Sequence, residues 1–264
     1  MNRILLTGAA GGLGRVMRTR LKHLGPLRLS DIADLGPAAD GEEIVPCDLA
    51  DRDAVMRLVE GCDAVVHLGG VSVEDRFSKI VDANIVGLFN LYEAARAHGH
   101  PRILFASSNH TVGFYPQDET LDAACTFRPD GLYGVSKCFG EALARMYFEK
   151  FGQETAIVRI GSCVAEPLNH RMLSTWLSFD DFVSLVERVF TVPRLGCPIV
   201  WGASNNDRGW WDNSKAGYLG WRPKDNAEAF AQKLDAEQER PAVDSAMALY
   251  QGGVFTNDPI FPEA

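Results

Sequence analysis

The sequence lacks the patterns that mark several large classes of protein. Its six cysteines contain no C-x-x-C pair, so neither a zinc site nor a disulfide framework is indicated, and a reducing compartment fits best. There is no run of Lys or Arg, and the net charge of -9 argues against nucleic acid and anionic membranes as partners. The first apolar stretch, residues 4–6, is too short for a signal peptide or a membrane span. We therefore expect a cytoplasmic protein without a metal, nucleic acid or membrane partner.

The rest of the composition is typical of a folded globular chain. The 264 residues are 46% hydrophobic and 23% charged, with neither internal repeats nor a low-complexity linker. This length allows one large domain or two small ones, each with a hydrophobic core.

Segments with the pattern of buried strands alternate with segments of helical period over the first 160 residues. Strands are predicted at 3–6, 27–30, 64–68, 102–106 and 155–160, and helices at 12–24, 51–60, 82–97 and 134–151. Such alternation predicts an α/β fold of the Rossmann type, a doubly wound parallel sheet with helices on both faces. Beyond residue 160 the pattern loosens, with helices at 179–189 and 227–239 and a strand at 199–201. We therefore expect a dinucleotide-binding domain at 1–160, with 161–264 as a small C-terminal cap and tail on the same core.

The first predicted strand leads into a glycine-rich turn at the start of a helix. Gly8, Gly11 and Gly14 have the spacing G-x-x-G-x-x-G. Glycine lets the backbone make this turn and approach a pyrophosphate closely, and the helix N-terminus then offers free N–H groups to the phosphates. The pattern predicts a dinucleotide site.

Acidic residues after the second and third strands bear on the choice of dinucleotide. Asp31 follows the second strand, where a carboxylate binds the adenosine ribose hydroxyls and repels a 2′-phosphate, which favours NAD over NADP. Arg15 and Arg28 are close enough in sequence to compensate a phosphate, so NADP stays open as an alternative. Asp48 has two equally good interpretations, a contact with the adenine amino group or a cap on the following helix.

A tyrosine and a lysine have the spacing of neighbours on one helix face. Tyr133 and Lys137 are four residues apart within a predicted helix, so the ammonium lies near the phenol and should lower its pKa from the usual value of about 10. Ser108 follows a predicted strand and so lies at the carboxyl edge of the sheet, where ligands bind in open α/β folds. Together these residues predict a site for proton transfer.

The glycine spacing, the Y-x-x-x-K pair and the preceding serine together resemble the short-chain dehydrogenase/reductase superfamily, and in particular its extended branch. The resemblance implies that Ser108 polarises the substrate oxygen, Tyr133 exchanges a proton and Lys137 binds the nicotinamide ribose. Ser107 would support the loop. Residues 84–90 are similar to the family's N-V-x-G-x-x-N segment, which implies a cofactor role for Asn84; its alternative role is a hydrogen bond to its own helix.

The expected NAD contacts therefore extend well beyond the glycine turn. Cys163 is expected to be a packing residue beside the nicotinamide and not a nucleophile. The full expected set is Gly8, Gly11, Gly12, Leu13, Gly14, Asp31, Ile32, Asp48, Leu49, Leu68, Gly69, Gly70, Asn84, Tyr133, Lys137, Ile160 and Cys163.

Further stretches resemble one group within this superfamily, the uronate dehydrogenases. They are residues 107–113, 159–163, 171–176, 201–204 and 209–213, which extend the similarity over nearly the whole chain. The resemblance implies oxidation of a cyclic hexuronic acid at C1 to the aldarolactone, with Tyr133 as general base. It also implies a sugar-acid pocket formed by Ser72, Ser108, Asn109, His110, Tyr133, Ser162 and Arg171.

Arg171 is the expected partner of the substrate carboxylate. An acidic protein that binds an anion needs a local cation, and arginine holds a carboxylate with two parallel hydrogen bonds. The alternative for Arg171 is a surface ion pair. Trp176, Trp210 and Trp211 are expected to fill the cap or a subunit contact rather than to stack on a sugar.

Two other functions stay open at this point. A nucleotide-sugar epimerase or dehydratase would use the same Rossmann domain without net release of NADH. A dinucleotide-sensing regulator would bind the cofactor and need none of Ser108, Tyr133 and Lys137. We expect a homo-oligomer, since superfamily members commonly associate through the helices that flank the sheet.

Overall fold

The architecture is a seven-stranded, fully parallel sheet with helices on both faces, seen in a computed structural model that describes residues 1–263. The strands of this sheet are β1 (Ile4–Thr7), β2 (Leu27–Ser30), β3 (Glu42–Ile44), β4 (Ala64–His67), β5 (Arg102–Ser108), β6 (Thr155–Ile160) and β9 (Ile199–Gly202). Their order across the sheet is β3-β2-β1-β4-β5-β6-β9. A separate two-stranded sheet consists of β7 (Ser162–Cys163) and β8 (Trp176–Leu177). The predicted doubly wound Rossmann fold is confirmed.

The helices alternate with these strands through the first part of the chain. They are α1 (Gly12–Arg20), α2 (Arg52–Val59), α3 (Phe77–Ile80), α4 (Gly87–Ala97), α5 (Leu132–Phe151), α6 (Met172–Thr175), α7 (Phe179–Thr191), α8 (Ala231–Glu237) and α9 (Ala246–Leu249). A π-helical segment, Val81–Val86, joins α3 to α4, and short 3₁₀ turns follow several elements. No helix within residues 1–263 combines the length and the apolar character needed to cross a membrane.

The sheet separates two hydrophobic layers. Alternate residues of a strand point to opposite faces, so Leu6 packs with Met17 and Phe182 on the side of α1 and α7. Leu5 belongs to the other layer, with α2, α4 and α5. Because β1 pairs with β2 on one side and with β4 on the other, the chain direction of the crossovers reverses at β1. A crevice therefore opens at the carboxyl ends of these strands.

Most predicted elements are present, with shifts at their ends. The strands predicted at 27–30 and 155–160 have those bounds, whereas β5 extends two residues further and contains Ser107 and Ser108. Helix α5 begins at Leu132, so Tyr133 lies in its first turn. The long helix predicted at 82–97 starts earlier, at Phe77, and the one predicted at 227–239 divides into a 3₁₀ turn and α8.

The sheet continues past residue 160, where the sequence analysis divides the chain. Strand β9 pairs with β6 through four registered residues, and α7 packs against the same core as α1. The segment 161–263 thus supplies both the last strand of the sheet and residues around one end of the crevice. The reason is that Val200 and Trp201 are buried and extend the hydrophobic surface of β6.

A buried ion pair ties α5 to the centre of the sheet. Arg159 of β6 donates Nε and Nη2 to the two carboxylate oxygens of Glu141, at 2.9 and 2.8 Å. Ser107 of β5 donates to the same carboxylate at 2.6 Å. The side chains of Arg159 and Glu141 are 1% and 2% exposed, so water cannot replace either partner.

Removing one partner of this pair should therefore destabilise the fold strongly. Glu141→Ala leaves the Arg159 guanidinium buried without its counter-charge, and we expect a loss of about 3–5 kcal/mol in the free energy of unfolding. Urea denaturation followed by circular dichroism measures it. Glu228→Ala, which breaks an ion pair with Arg208 at the surface, is the control and should cost less than about 1 kcal/mol. Equal losses in the two variants would contradict a central role for the pair.

Candidate active site

A single cavity of about 850 Å³ lies at the carboxyl ends of β1, β4, β5 and β6. It is bordered by the glycine turn at one end and by residues from the last hundred positions at the other. Of the expected NAD residues, all but Asn84 line it, and of the expected pocket residues, all but Asn109 do: Gly8, Gly11, Gly12, Leu13, Gly14, Asp31, Ile32, Asp48, Leu49, Leu68, Gly69, Gly70, Ser72, Ser108, His110, Tyr133, Lys137, Ile160, Ser162, Cys163 and Arg171.

The glycine turn packs closely against neighbouring backbone and leaves space on its other side for a ligand. A Cβ on Gly8, which has φ +69°, would overlap the backbone of Leu68, and a Cβ on Gly14 would overlap the carbonyl oxygen of Gly8. At Gly12 the same atom would meet nothing within 4 Å, because the residue faces the cavity. Helix α1 begins there with no side chain capping its first N–H groups. This leaves space and hydrogen-bond donors for a pyrophosphate.

Asp31 lies at the end of β2 and holds the glycine turn in place. Its Oδ2 accepts from the N–H of Ala10 at 2.9 Å, and its Oδ1 accepts from the N–H of Ala33 at 3.0 Å. The half-buried carboxylate lines the cavity, where it can also accept from ribose hydroxyls and repel a phosphate.

The two arginines considered as phosphate partners differ in their surroundings. Arg28 is buried and donates to Glu43 and to the carbonyls of Leu58 and Glu60. Its guanidinium is therefore bonded to groups outside the glycine turn. Arg15 is exposed and donates to the carbonyl of Ala10. Only Arg15 is therefore placed near the glycine turn.

Asp48 borders the cavity, whereas Asn84 supports a loop beside it. The cap of α2 is Asp51, which accepts from Ala54, while Asp48 accepts from Ala50. The Asn84 side chain is buried and makes no hydrogen bond within its own helix. It donates to Ser136 Oγ and to the carbonyl of Val71, which lines the cavity, and it accepts from the N–H of Val71. These bonds fix the loop that carries Ser72.

Ser108, Tyr133 and Lys137 converge at the middle of the cavity. The Ser108 hydroxyl lies close enough to the Tyr133 phenol to lower its pKa, and it accepts from the backbone N–H of His110 at 3.2 Å. Lys137 Nζ lies 5.6 Å from the centre of the Tyr133 ring and donates to the carbonyl of Ala106 at 2.8 Å. Glu74 accepts from the N–H groups of Leu132 and Tyr133 and so caps α5. The sequence pattern gave no signal for Glu74.

Burial dominates the titration of these groups. It raises the pKa of Tyr133 to about 12, against the smaller opposing effect of the Ser108 hydroxyl. It lowers the pKa of Lys137 to about 8. In the chain without cofactor the loss of water around the phenol therefore dominates, and the lowering of the Tyr133 pKa by Lys137 together with oxidised nicotinamide stays a prediction for the cofactor-bound site.

Arg171 is a partly buried cation held by backbone and amide groups. Its Nε donates to the carbonyl of Gln251 at 2.7 Å, and Nη2 donates to the same carbonyl and to Asn109 Oδ1. No carboxylate within residues 1–263 forms an ion pair with it, and Nη1 has no hydrogen-bond partner there. Burial lowers its pKa to about 10, which leaves it charged at neutral pH. The predicted alternative of a surface ion pair is thus wrong.

Gln251 anchors this arrangement from the C-terminal part of the chain. It is fully buried, its side-chain amide donates to the carbonyls of Pro116 and Glu119, and its Oε1 accepts from Trp211. Neighbouring Phe255 lines the cavity and stacks on His110 with ring centres 4.0 Å apart. The sequence analysis assigned neither residue a role.

The chain has a clear set of relatives. The model of the NAD dependent epimerase/dehydratase family matches residues 4–178. This chain belongs to that family. A uronate dehydrogenase of Agrobacterium fabrum is 63% identical over 265 residues, with all of both chains covered. A uronate dehydrogenase of Pseudomonas putida is 56% identical over 96% of this chain and 95% of its own.

Solved structures of such relatives have the same fold. The crystal structure of a uronate dehydrogenase mutant from Agrobacterium tumefaciens complexed with NAD has a TM-score of 0.99 at 63% identity, with 100% of both chains covered. That of a glucuronic acid dehydrogenase from Chromohalobacter salexigens has a TM-score of 0.96 at 52% identity, covering 98% of this chain and 97% of the other. The similarity to uronate dehydrogenases predicted from the sequence is confirmed.

Within residues 1–263, no group of three or more His, Cys, Asp or Glu side chains is arranged to hold a metal ion. Cys163 borders the cavity, and burial raises the pKa of its thiol well above the usual value, which disfavours the thiolate. Trp176 and Trp211 pack on Phe230 and Trp201, and neither they nor Trp210 line the cavity.

The position of Asp31 predicts a measurable preference between cofactors. Asp31→Ala removes both the acceptor for ribose hydroxyls and the charge that repels a 2′-phosphate. We expect the ratio of kcat/KM for NAD to that for NADP to fall by roughly tenfold or more, the size of one charge-assisted contact. Initial rates with each cofactor measure it, with Asp34→Ala, an exposed neighbour outside the cavity, as the control. An unchanged ratio would show that Asp31 does not face the adenosine ribose.

The lowered pKa of Lys137 predicts that this residue destabilises the cofactor-free fold at neutral pH. The folded chain releases the proton near pH 8 and the unfolded chain near 10.5, so the unfolded state binds more protons between these values. Stability of the unsubstituted chain should therefore rise with pH across that window. Lys137→Met should melt at a higher temperature near pH 7, and this advantage should shrink as the pH approaches 10.

Thermal unfolding followed by circular dichroism tests the direction of this change in melting temperature. Lys150→Met, at an exposed position near the end of the same helix, is the matched control and should not change the melting temperature in a pH-dependent way. A lower melting temperature for Lys137→Met at pH 7 would show that the ammonium stabilises the empty site.

Proposed function

We propose that the chain is an NAD-dependent uronate dehydrogenase that oxidises a hexuronic acid, such as D-glucuronate or D-galacturonate, at C1 to the aldarolactone. The observation that carries this proposal is Arg171, a partly buried cation without a carboxylate partner among residues 1–263, in the cavity that also contains Ser108, Tyr133 and Lys137. Arginine holds a carboxylate with two parallel hydrogen bonds, and the carboxylate of a sugar acid is such a partner. The names of the relatives agree with this substrate class.

The substrate carboxylate would bind the free edge of the Arg171 guanidinium. Because Gln251 and Asn109 occupy Nε and part of Nη2, Nη1 is the donor left for an incoming anion. Ser72, His110 and Ser162 border the same cavity and supply hydrogen-bonding groups for the ring hydroxyls. The carboxylate contact orients the sugar, so its far side, with C1, can be presented to Tyr133.

The reaction removes a hydride and a proton from the C1–OH group, and the chain handles the proton. Ser108 and Tyr133 lie side by side in the cavity, and Ser108 would donate a hydrogen bond to the C1 oxygen between them. Tyr133 Oη takes the proton of the C1 hydroxyl as the C1–O bond becomes a carbonyl and the lactone forms. Bound NAD accepts the hydride from C1 and adds a positive charge that favours the phenolate.

Lys137 keeps its ammonium within 5.6 Å of the Tyr133 ring and fixed to the Ala106 carbonyl. In the empty cavity the pKa of Lys137 is about 8, so at a pH near 8 part of the Lys137 side chains are neutral. The negative charge is on the Tyr133 phenolate before it takes the C1 hydroxyl proton, and the ammonium of Lys137 beside it would stabilise that charge. Lys137 would thus favour the form of the tyrosine that can act as the base.

Location and assembly stay predictions. Six free cysteines support a reducing compartment such as the cytoplasm. Exposed apolar side chains on the α4 and α5 side of the sheet, among them Phe89, Val135 and Met146, support a contact between copies of the chain.

The test is formation of NADH, read by absorbance at 340 nm, with D-glucuronate or D-galacturonate as substrate. Arg171→Ala should raise the KM for uronate by roughly 30-fold or more, the loss expected for a buried charge pair, with little change in NAD affinity. Arg208→Ala, in an exposed ion pair, is the control. Equal weakening of uronate and NAD would make Arg171 structural. No NADH with either uronate, together with conversion of a UDP-sugar, would instead favour an epimerase.

A further inference from the structure

His110 and Asp130 form a buried imidazole–carboxylate pair beside the tyrosine. Nδ1 of His110 and Oδ2 of Asp130 are 2.7 Å apart, and the two side chains are 10% and 2% exposed. The centres of the His110 and Tyr133 rings are 5.8 Å apart. The sequence analysis assigned His110 to the sugar pocket and gave Asp130 no role, although it stands three residues before Tyr133.

Asp130 is fixed in this position by its backbone and by two glycines. Its N–H donates to the carbonyl of His110 at 3.4 Å, so the two residues are joined at both main chain and side chain. A Cβ on Gly113 or on Gly252 would overlap Asp130 Oδ2. The carboxylate therefore fills a narrow space between two stretches of glycine backbone, and it cannot turn away from the imidazole.

This geometry determines which nitrogen of His110 carries the proton. An ionised carboxylate only accepts hydrogen bonds, so Nδ1 must be the donor. The rings of Tyr133 and Phe255 pack against the imidazole, and the Asp130 carboxylate is the group bonded to it. In the neutral form of the ring only one nitrogen carries a proton, so Nε2 is then the acceptor.

Nε2 is also the nitrogen available to a ligand. His110 lines the cavity, and Nε2 has no hydrogen-bond partner within residues 1–263 and is not among the buried polar atoms left without one. Phe255 covers one face of the ring at 4.0 Å between centres, which restricts approach to the ring edge. An acceptor in this position can be satisfied only by a group that donates.

We propose that Asp130 is a positioning residue that holds His110 in the Nδ1–H form, so that Nε2 accepts a hydrogen bond from a ring hydroxyl of the sugar acid. The inference rests on the proposed function. It adds a source of specificity, because a sugar without that hydroxyl would leave Nε2 buried and without a donor. Asp130 itself contacts no substrate.

A kinetic cycle separates this role from a general structural one. Asp130→Leu should lower kcat/KM for uronate by roughly ten- to hundredfold, the size of a lost hydrogen bond to a charged group, with the dissociation constant for NAD changed less than about twofold. Asp130→Asn keeps an acceptor for Nδ1–H and should retain more activity. In a His110→Gln background, the same substitutions should have little further effect, because the pair acts as a unit. An equal loss with and without His110, or equal weakening of NAD, would overturn the proposal.

A spectroscopic measurement tests the pair without relying on turnover. The ¹⁵N shifts of histidine side chains report which ring nitrogen carries the proton, and His110→Gln identifies the His110 signals. The neutral Nδ1–H form is expected in the unsubstituted chain with NAD bound, with a shift toward Nε2–H in Asp130→Leu. The same form in both proteins, or an imidazolium near pH 7.5, would contradict the proposal. If Asp130→Leu does not fold, Asp130→Asn serves in both experiments, with a smaller expected effect.

The proposed function and the positioning role of Asp130 can be refuted separately. If the unsubstituted chain oxidises neither uronate, the proposed function fails while the ¹⁵N result still decides whether Asp130 fixes His110. If uronate is oxidised but the kinetic cycle shows no coupling, the proposed function stands and the positioning role of Asp130 is refuted.

Discussion

The contact among Arg159, Glu141 and Ser107 fixes the distance on which the site depends. Tyr133 and Lys137 lie on α5, whereas Ser108 lies on β5, and these elements are far apart in sequence. Glu141 sits one turn of helix beyond Lys137 and bonds to Ser107, the neighbour of Ser108. Arg159, on the next strand, supplies the counter-charge. The same carboxylate thus locks the helix to the strand and places the phenol against the serine hydroxyl.

Loss of water is the common cause of the unusual properties of the cavity. It raises the pKa of Tyr133, lowers those of Lys137 and Arg171, and keeps the thiol of Cys163 protonated. Lys137 and Arg171 are two cations in the cavity without a carboxylate partner among residues 1–263. A carboxylate beside Arg171, and phosphates on the free N–H groups at the start of α1, would each meet a complementary group, which explains how an acidic protein can bind two anionic molecules side by side.

Local spacing was sufficient to predict the parts of the site that lie within one turn or one helix. The glycine turn, Asp31 after its strand, and the Tyr133–Lys137 pair depend on neighbours within a few residues, and their placement follows from the alternation of strands and helices. The pocket residues on 159–176 came from family resemblance, not from spacing, since a single arginine such as Arg171 has no local signal that distinguishes it from a surface residue.

The parts that could not be predicted come from contacts between distant segments. Gln251 and Phe255 reach the cavity from a tail without motif or period, and Glu74 and Asp130 look like ordinary loop acids until the fold places them against Tyr133 and His110. The hydrogen bonds of Asn84 to Val71 and of Asn109 to Arg171 also join distant segments, and no local pattern predicts them. The rise in the Tyr133 pKa in the chain without cofactor depends on burial, which is a property of the whole fold.

The arginine without a carboxylate partner in the cavity, Arg171, is the basis of the proposed substrate class, and substrate comparison tests its role most directly. The measurement is kcat/KM, with NAD, for D-glucuronate and for D-glucose, which differ only in that the carboxylate replaces a CH₂OH group. We predict a preference for D-glucuronate of roughly a thousandfold, about 4 kcal/mol, within the range for a buried charge pair left without its partner. Comparable values for the two sugars would contradict the role assigned to Arg171 and, with it, the proposed substrate class.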